Sequence, residues 1–408
     1  MPFIHKSPPF ILALIVALPA FKSWLTSRES TSAIDATVAI FAFGAIASLA
    51  IWNRRSHMHL VVSKYALLFH GLLAAVLCLS IVGTPAPIYG STKAIKFLVF
   101  STLSLVLPLI LIQKEQDIKN FCWSVAALGF FISFLTIFAP QNQVRASGEV
   151  LARQSALGAN TLNPATAIAL SASLSYLLLV TETRHPAKKL MLVANIAIAF
   201  WALFATGTRS FFLLPVLVAG TREFSLLLAS SERAVLRLVV ASTLVPIGAF
   251  FLIGGGDVLD RRIGRFVRDP SAALASSGRT ELWYKGIELG MQQPLFGNGT
   301  GSFSKLTIGV DRKHFPHNFV IEAFAETGLL GVIPTVGLFV TSLVLILRLS
   351  RLSRHCVEES VLANMHFVLL GLWIAISVHW DLADSRVLWL FLGTTISSLM
   401  LAVDPGRR

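Results

Sequence analysis

The chain has 408 residues, a formal net charge of +13, 55% apolar residues and only 13% charged ones. Soluble domains hold about 25% charged residues, so this composition, with a mean hydropathy of +0.72, excludes one and describes a chain dissolved largely in lipid. About half of the positive charge falls in loops of the kind that anchor such a chain, so it does not point to nucleic acid.

A bilayer span needs about 20 predominantly apolar residues. In chain order, twelve runs approach that length, near 9–25, 34–52, 65–83, 95–113, 120–139, 161–181, 189–206, 209–220, 235–254, 327–347, 361–379 and 387–403. They predict an all-α, polytopic membrane protein of about twelve transmembrane helices, a single integral membrane domain over residues 1–408. The first run, with Lys6 before it and ALPA at 17–20, has the outline of a signal peptide, but eleven further spans favour an uncleaved first helix. The run at 209–220 is the shortest and follows the polar TGTRS. Cys78, Cys122 and Cys356 sit in or beside predicted helices at no metal-like or disulfide-like spacing.

Loop charges give the orientation. With the N-terminus on the cytoplasmic side, 17 of the 34 Lys and Arg residues lie in inner segments and 8 in short outer loops. The other 9 lie in one long outer segment, about 255–316, too long to obey the short-loop bias. Both termini are therefore expected inside.

On the outer face polar residues gather at 140–164, at TGTRS (206–210), at 255–326 and at HWDLADSR (379–386). The third of these predicts a small helical cap within the membrane domain. ASSGRTELWYKGIELGMQQ (275–293) carries Leu282, Trp283, Gly286, Ile287 and Gly290 at helical spacing, with Ser277 as N-cap. PLFGNGTGSF (294–303) is a glycine-punctuated loop, and Pro316 suits the first turn of a helix running straight into the tenth span.

Charges at a membrane mouth face protein or water rather than lipid. Arg209, between two apolar runs, either snorkels to headgroups or receives an anion. Arg279 opens an amphipathic helix whose free N–H groups form an anion site, so a phosphate is its natural guest; the alternative is a surface arginine. His317, beside Asn318, titrates near neutrality and suits a general base, although a lone histidine is more often structural. Glu322 and Glu326, one turn apart, either orient it, hold a sugar hydroxyl or sit as satisfied interfacial carboxylates. Asp381 and Asp384 either contact substrate or pair with Arg386 or another outer arginine. His314, within DRKH (311–314), reads as part of a solvated charge run. With no DxD or HExxH motif, neither a metal site nor a cofactor is expected.

These residues bear a family resemblance. GR–TE–LW at 278–283, the GNG turn at 297–299 and HNFVIEAFAETGLLG at 317–331 resemble the C-terminal signature of the O-antigen ligase superfamily, and TGTRS is similar to its arginine-bearing outer loop. The histidine motif is shared with O-antigen polymerases and protein O-oligosaccharyltransferases. The resemblance implies a helical bundle in the bacterial inner membrane, with a periplasmic cap and active site. It implies an undecaprenyl-pyrophosphate-linked glycan as donor and lipid A–core as acceptor. By motif, His317 matches the catalytic histidine, and Arg209 and Arg279 match diphosphate-binding arginines. Substrate contacts are further expected of Asn318, Glu322, Arg145, Arg153 and Asp381. The family's asparagine-rich stretch reads here GANTLNPA, so no role passes to Asn160 or Asn163.

The chemistry agrees with this set. A glycosyl diphosphate brings its own leaving group, so the protein need only supply a base for the acceptor hydroxyl and cations for the departing diphosphate. Fixed electrostatic stabilisation is worth about 2.7–4 kcal/mol per key donor, and a base about 10²–10⁴-fold in rate. Back-side attack would invert the anomeric carbon. A polymerase or a protein oligosaccharyltransferase would use the same donor. A lipid or anion transporter would bind near the midplane, where only His70 and His366 ionise, and each reads as a packed polar group.

Overall fold

A computed structural model of the chain describes residues 8–27, 36–52, 60–144, 150–156, 162–181, 185–228, 279–352, 360–376 and 380–403. Its helices are α1 (Pro8–Ser27), α2 (Ala36–Trp52), α3 (Leu60–Leu79), α4 (Pro87–Lys96), α5 (Thr102–Leu111), α6 (Glu115–Phe138), α7 (Leu162–Thr181), α8 (Pro186–Thr206) and α9 (Arg209–Leu228). After them come α10 (Arg279–Gln292), α11 (Ser302–Ile308), α12 (Phe319–Leu352), α13 (Val361–Ile376) and α14 (Arg386–Val403). A single π-type turn, Phe97–Ser101, joins α4 to α5 into one rod.

Eleven of the twelve apolar runs coincide with these helices; the run at 235–254 lies outside the described residues. Among the described residues, six helical rods, Pro87–Leu111, Glu115–Phe138, Leu162–Thr181, Pro186–Thr206, Phe319–Leu352 and Arg386–Val403, are long and apolar enough to cross a membrane, and four shorter apolar helices accompany them. α6, α7 and α8 pack on one another, α5 on α14, α3 on α12, and α13 on α9 and α14. Their shared core includes Phe121, Leu170, Leu203, Leu214, Leu372 and Trp389, all buried. Leu68, Phe130, Ile333, Phe339 and Val340 remain exposed on the bundle's outside. A lipid-bathed helix shows this inversion, since its apolar residues need no protein cover.

Four local features depart from the sequence reading. The polar loop at 140–164 is in part a two-stranded antiparallel ribbon, β1 (Pro140–Val144) with β2 (Val150–Ala156), which pairs Pro140 with Ala156 and Val144 with Val150 across a register shift between Asn142 and Gln143. The short run at 209–220 continues as helix to Leu228, and Arg222 is not a loop residue. Arg222 is fully buried, pairs with Glu223 and donates to Asn364 Oδ1 at 2.9 Å. Mutual neutralisation carries the helix beyond its apolar stretch, because a buried charge is tolerated when paired and hydrogen-bonded. The fourth span starts at Pro87, so Lys93 and Lys96 belong to a helix rather than to an outer loop. Finally, the tenth span does not run straight from Pro316. Its helix begins at Phe319, capped by Asn318, and breaks at Gly328 (φ 60°, ψ −155°). That conformation is essentially confined to glycine. A Cβ there would also lie 2.5 Å from the Leu295 carbonyl.

Candidate active site

The break at Gly328 separates a short leg, Phe319–Thr327, from the long membrane leg, and the GNG turn holds it open. Leu329 N–H donates to Pro294 O at 2.8 Å, Gly299 N–H to Glu326 O at 2.8 Å and Asn298 N–H to Ala325 O at 3.2 Å. Backbone groups orphaned by the break thus find partners in the turn, as buried peptide groups must. The turn is tied in addition to the end of α3, where Thr300 Oγ1 donates to Leu77 O at 2.8 Å and Thr84 Oγ1 donates to Thr300 O at 2.9 Å. α10 lies on the short leg through Gly286 and Gly290, whose hydrogens face Ile321 and the Phe324 ring. A Cβ would stand 2.5 and 2.3 Å from them.

At the head of the short leg, His317 is the one non-glycine residue with positive φ among the described residues, at 57°. Such a conformation costs of order 1–3 kcal/mol and persists where its surroundings over-determine it. Buried Pro316 precedes His317, and Asn318 follows it as the helix N-cap, its Oδ1 accepting from Val320 N–H at 3.0 Å and Ile321 N–H at 3.2 Å. The half-buried His317 ring lies against Phe315, centroids 4.3 Å apart. The opposite neighbour of that phenyl ring is Lys313, with Nζ 5.4 Å from its centroid.

Lys313, whose side chain is exposed, leads into a charged network that runs inward to the fully buried Lys93 and Glu322. It pairs with Asp381 at 3.1 Å and contacts Asp384, which also faces Lys96 at 3.6 Å and Arg386 at 3.8 Å. Burial pushes the Asp384 carboxyl up, but the Lys313 ammonium, then Lys96 and Arg386, outweigh it and hold the group well below the usual carboxylate range. Burial likewise lowers Lys313, and Asp381 and Asp384 more than restore it, so the ammonium is held above its ordinary range. Tyr89 Oη donates to Asp381 Oδ2 at 3.3 Å. Deeper, Lys93 is fully buried between Glu322, which it contacts, and Glu326 Oε2 at 2.5 Å. Glu322 Oε2 also accepts from Leu382 N–H at 3.3 Å, and Glu326 Oε2 from Gly301 N–H at 2.9 Å. Four cations, Lys93, Lys96, Lys313 and Arg386, thus face four carboxylates, Glu322, Glu326, Asp381 and Asp384. Of these, Lys93, Glu322, Glu326 and Asp381 are buried, and a charged group survives at such depth only when paired and hydrogen-bonded.

Of the expected site residues, the structure gathers His317, Asn318, Glu322 and Asp381 at one end of the bundle. Arg279 is the first described residue of α10, half-buried, and the α10–short-leg contact sets that helix beside Pro316. Arg209 begins α9, and the Phe211–Trp380 ring contact at 6.3 Å places that helix end against the 380–385 loop. Arg153 lies in β2, while Arg145, Asn160, Ser277 and Cys356 fall outside the described residues. The DRKH stretch is solvated at Arg312 and Lys313, which are exposed, yet its other side is engaged. Asp311 accepts from Ile88 and Tyr89 N–H at the head of α4, both at 2.9 Å, and Lys313 enters the network. His314 lies tilted against Phe303, centroids 5.6 Å apart. Burial, then the nearby His317, Arg312 and Lys285, hold its imidazole below its ordinary value. His70 stacks on Phe97 at 4.7 Å and bonds Thr102 Oγ1 at 3.1 Å, a packed polar group as read from the sequence.

The sequence reading missed Lys93, Tyr89 and Lys313. A signal existed: Glu322 and Glu326 stand one turn apart beside an apolar run, and two carboxylates near lipid require a cation from elsewhere. Lys93, at the edge of the fourth span, is such a cation.

Fold and site together define a polytopic helical membrane protein with a strained histidine set over a charge-balanced network at one end of its bundle. Residues 194–336 match the family described as O-antigen ligase. Over 138 residues it is 31% identical to "Exopolysaccharide production protein ExoQ" of Rhizobium meliloti (strain 1021), a match spanning 31% of this chain and 30% of that protein. His317, Glu322, Glu326 and Gly328 lie within the family segment; Lys93, Asp381 and Asp384 lie outside it and reach the site only through folding.

Proposed function

We propose that the protein is an O-antigen ligase, transferring a glycan from undecaprenyl pyrophosphate to lipid A–core at the periplasmic face of the inner membrane. His317 takes the acceptor hydroxyl proton as general base. The hydroxyl oxygen attacks the anomeric carbon from the side opposite the diphosphate, whose bond to that carbon breaks, inverting the configuration. The diphosphate departs with both electrons of that bond, and Arg209, Arg279 and the N-terminus of α10 stabilise its charge. Arg145 and Arg153 contact substrate, and no metal or other cofactor takes part.

The observation that carries this reading is the left-handed backbone of His317 (φ 57°) at the head of a helix within the family segment. Strain of this kind clusters at functional sites. Phe315 lies against the His317 imidazole, and Asn318 caps the helix that follows.

A second reading, a polymerase joining glycan units on the same donor, is favoured by the match to a protein named for exopolysaccharide production. Purified protein supplied with lipid-linked glycan, with and without lipid A–core, separates the two in a gel-shift assay. Product that requires lipid A–core supports the ligase; elongation of the lipid-linked glycan without it supports the polymerase. Neither product refutes the transferase reading.

A further inference from the structure

A groove of about 560 Å³ lies beside the GNG turn, between the end of α3 and the start of the long leg of α12. Its apolar walls are Val76, Leu79, Pro85, Phe296, Leu306 and Leu330. The polar lining is already committed elsewhere. Ser80 Oγ bonds Val76 O at 2.6 Å, the Asn298 amide donates to Leu289 O at 2.8 Å, and Thr327 Oγ1 donates to Ala323 O at 2.7 Å. Of the polar side chains in the lining, Gln293 alone is exposed, at the rim. The volume falls in the range of ligand sites, about 300–1,000 Å³, but the walls offer an occupant little besides hydrocarbon contact.

The surrounding surface is apolar and uncovered. Leu79 is 73% exposed, Val82 93% and Phe296 68%, with Leu295 and Leu306 also exposed. This surface is continuous with the exposed apolar side of the span Phe319–Leu352, because Leu330 belongs both to the groove wall and to the row Leu329, Ile333, Val336 and Val340.

We propose that this groove is an acyl-chain site: one hydrocarbon chain of a phospholipid, from the leaflet on the cap side, leaves the bilayer along α3 and α12 and lies between Leu79, Phe296 and Leu306. The site is independent of the transfer reaction. It seats the turn in lipid, and that turn's Gly301 N–H and Gly299 N–H hold Glu326.

The test uses the full-length protein in phosphatidylethanolamine–phosphatidylglycerol nanodiscs containing a phosphatidylcholine with a mid-chain diazirine. After illumination, labelled residues are mapped by mass spectrometry. Labelling should be several-fold enriched at Leu79, Phe296 and Leu306 over Leu343 and Val344 of the same lipid-facing row. A Cβ on Gly83, which lines the groove, meets nothing within 4 Å, and the same holds for Gly71 on the exposed side of α3. Gly83→Phe should therefore fill the groove and remove the enrichment, while Gly71→Phe should keep it. Even labelling along the row in the wild-type protein, or unchanged enrichment in Gly83→Phe, overturns the site. Displacement of the label by excess undecaprenyl phosphate, but not by added phospholipid, overturns the choice of occupant.

Discussion

Replacing Lys93 with methionine keeps most of the stem and removes the ammonium. Lys93 is 1% exposed, lies 2.5 Å from Glu326 and contacts Glu322, itself fully buried. Removing one partner of a buried ion pair costs about 3–5 kcal/mol, because the surviving charge stays desolvated without its counter-charge. Here one cation serves two carboxylates, and Glu326 Oε1 already lacks a hydrogen-bond partner among the described residues. Proton uptake by the stranded carboxylates limits the cost, so the loss should fall within that range, about two to four decades in the folding equilibrium. The assay is thermal unfolding in nanodiscs, with Lys93→Arg, Lys93→Met, and Lys93→Met combined with Glu322→Gln and Glu326→Gln. Arginine should retain most of the stability. Methionine should lower the midpoint strongly, and neutralising both glutamates should recover much of the loss, since burying uncharged amides is far less costly than burying bare carboxylates. A Lys93→Met midpoint equal to wild type, or a triple variant no better than Lys93→Met, would refute the argument.

Gly328→Ala should cost several kcal/mol, combining backbone strain of about 1–3 kcal/mol with the 2.5 Å approach to Leu295; a thermal midpoint within error of wild type would show that the break is not fixed as described. His317→Ala should abolish transfer while sparing donor affinity, and near-normal single-turnover transfer would dismiss the base assignment. Arg279→Ala should weaken both donor binding and transfer, with Arg279→Lys intermediate because the planar fork is lost while the charge stays; wild-type donor binding in Arg279→Ala would place the diphosphate elsewhere. Transfer should persist in EDTA, and a complete loss restored by magnesium or manganese would contradict a metal-free mechanism.

Hydropathy is a property summed over some twenty neighbouring residues, so the sequence alone located eleven helical runs, and helical spacing located the amphipathic helix that the structure describes over Arg279–Gln292. The glycines of GNGTG were legible for the same reason, since turn chemistry acts over three or four residues, whereas Asn318, read as a substrate contact, proved to be the N-cap of the helix at Phe319. The site's electrostatics were not local. Lys93 and Glu326 are 233 positions apart, Tyr89 and Asp381 292. No window of sequence reports such a pairing, and Lys93 read alone is an ordinary outer-loop lysine. Likewise, Arg222 and Glu223 look like a charged helix end until Asn364 and Tyr176 arrive from other helices to hold them. The break at Gly328 depended on backbone partners supplied by Pro294, Leu295 and Gly299. The sequence determined which segments enter the membrane, because transfer from water to lipid is decided segment by segment. Tertiary structure decided which charges meet, because a buried charge is tolerable only beside a partner that folding brings from far along the chain.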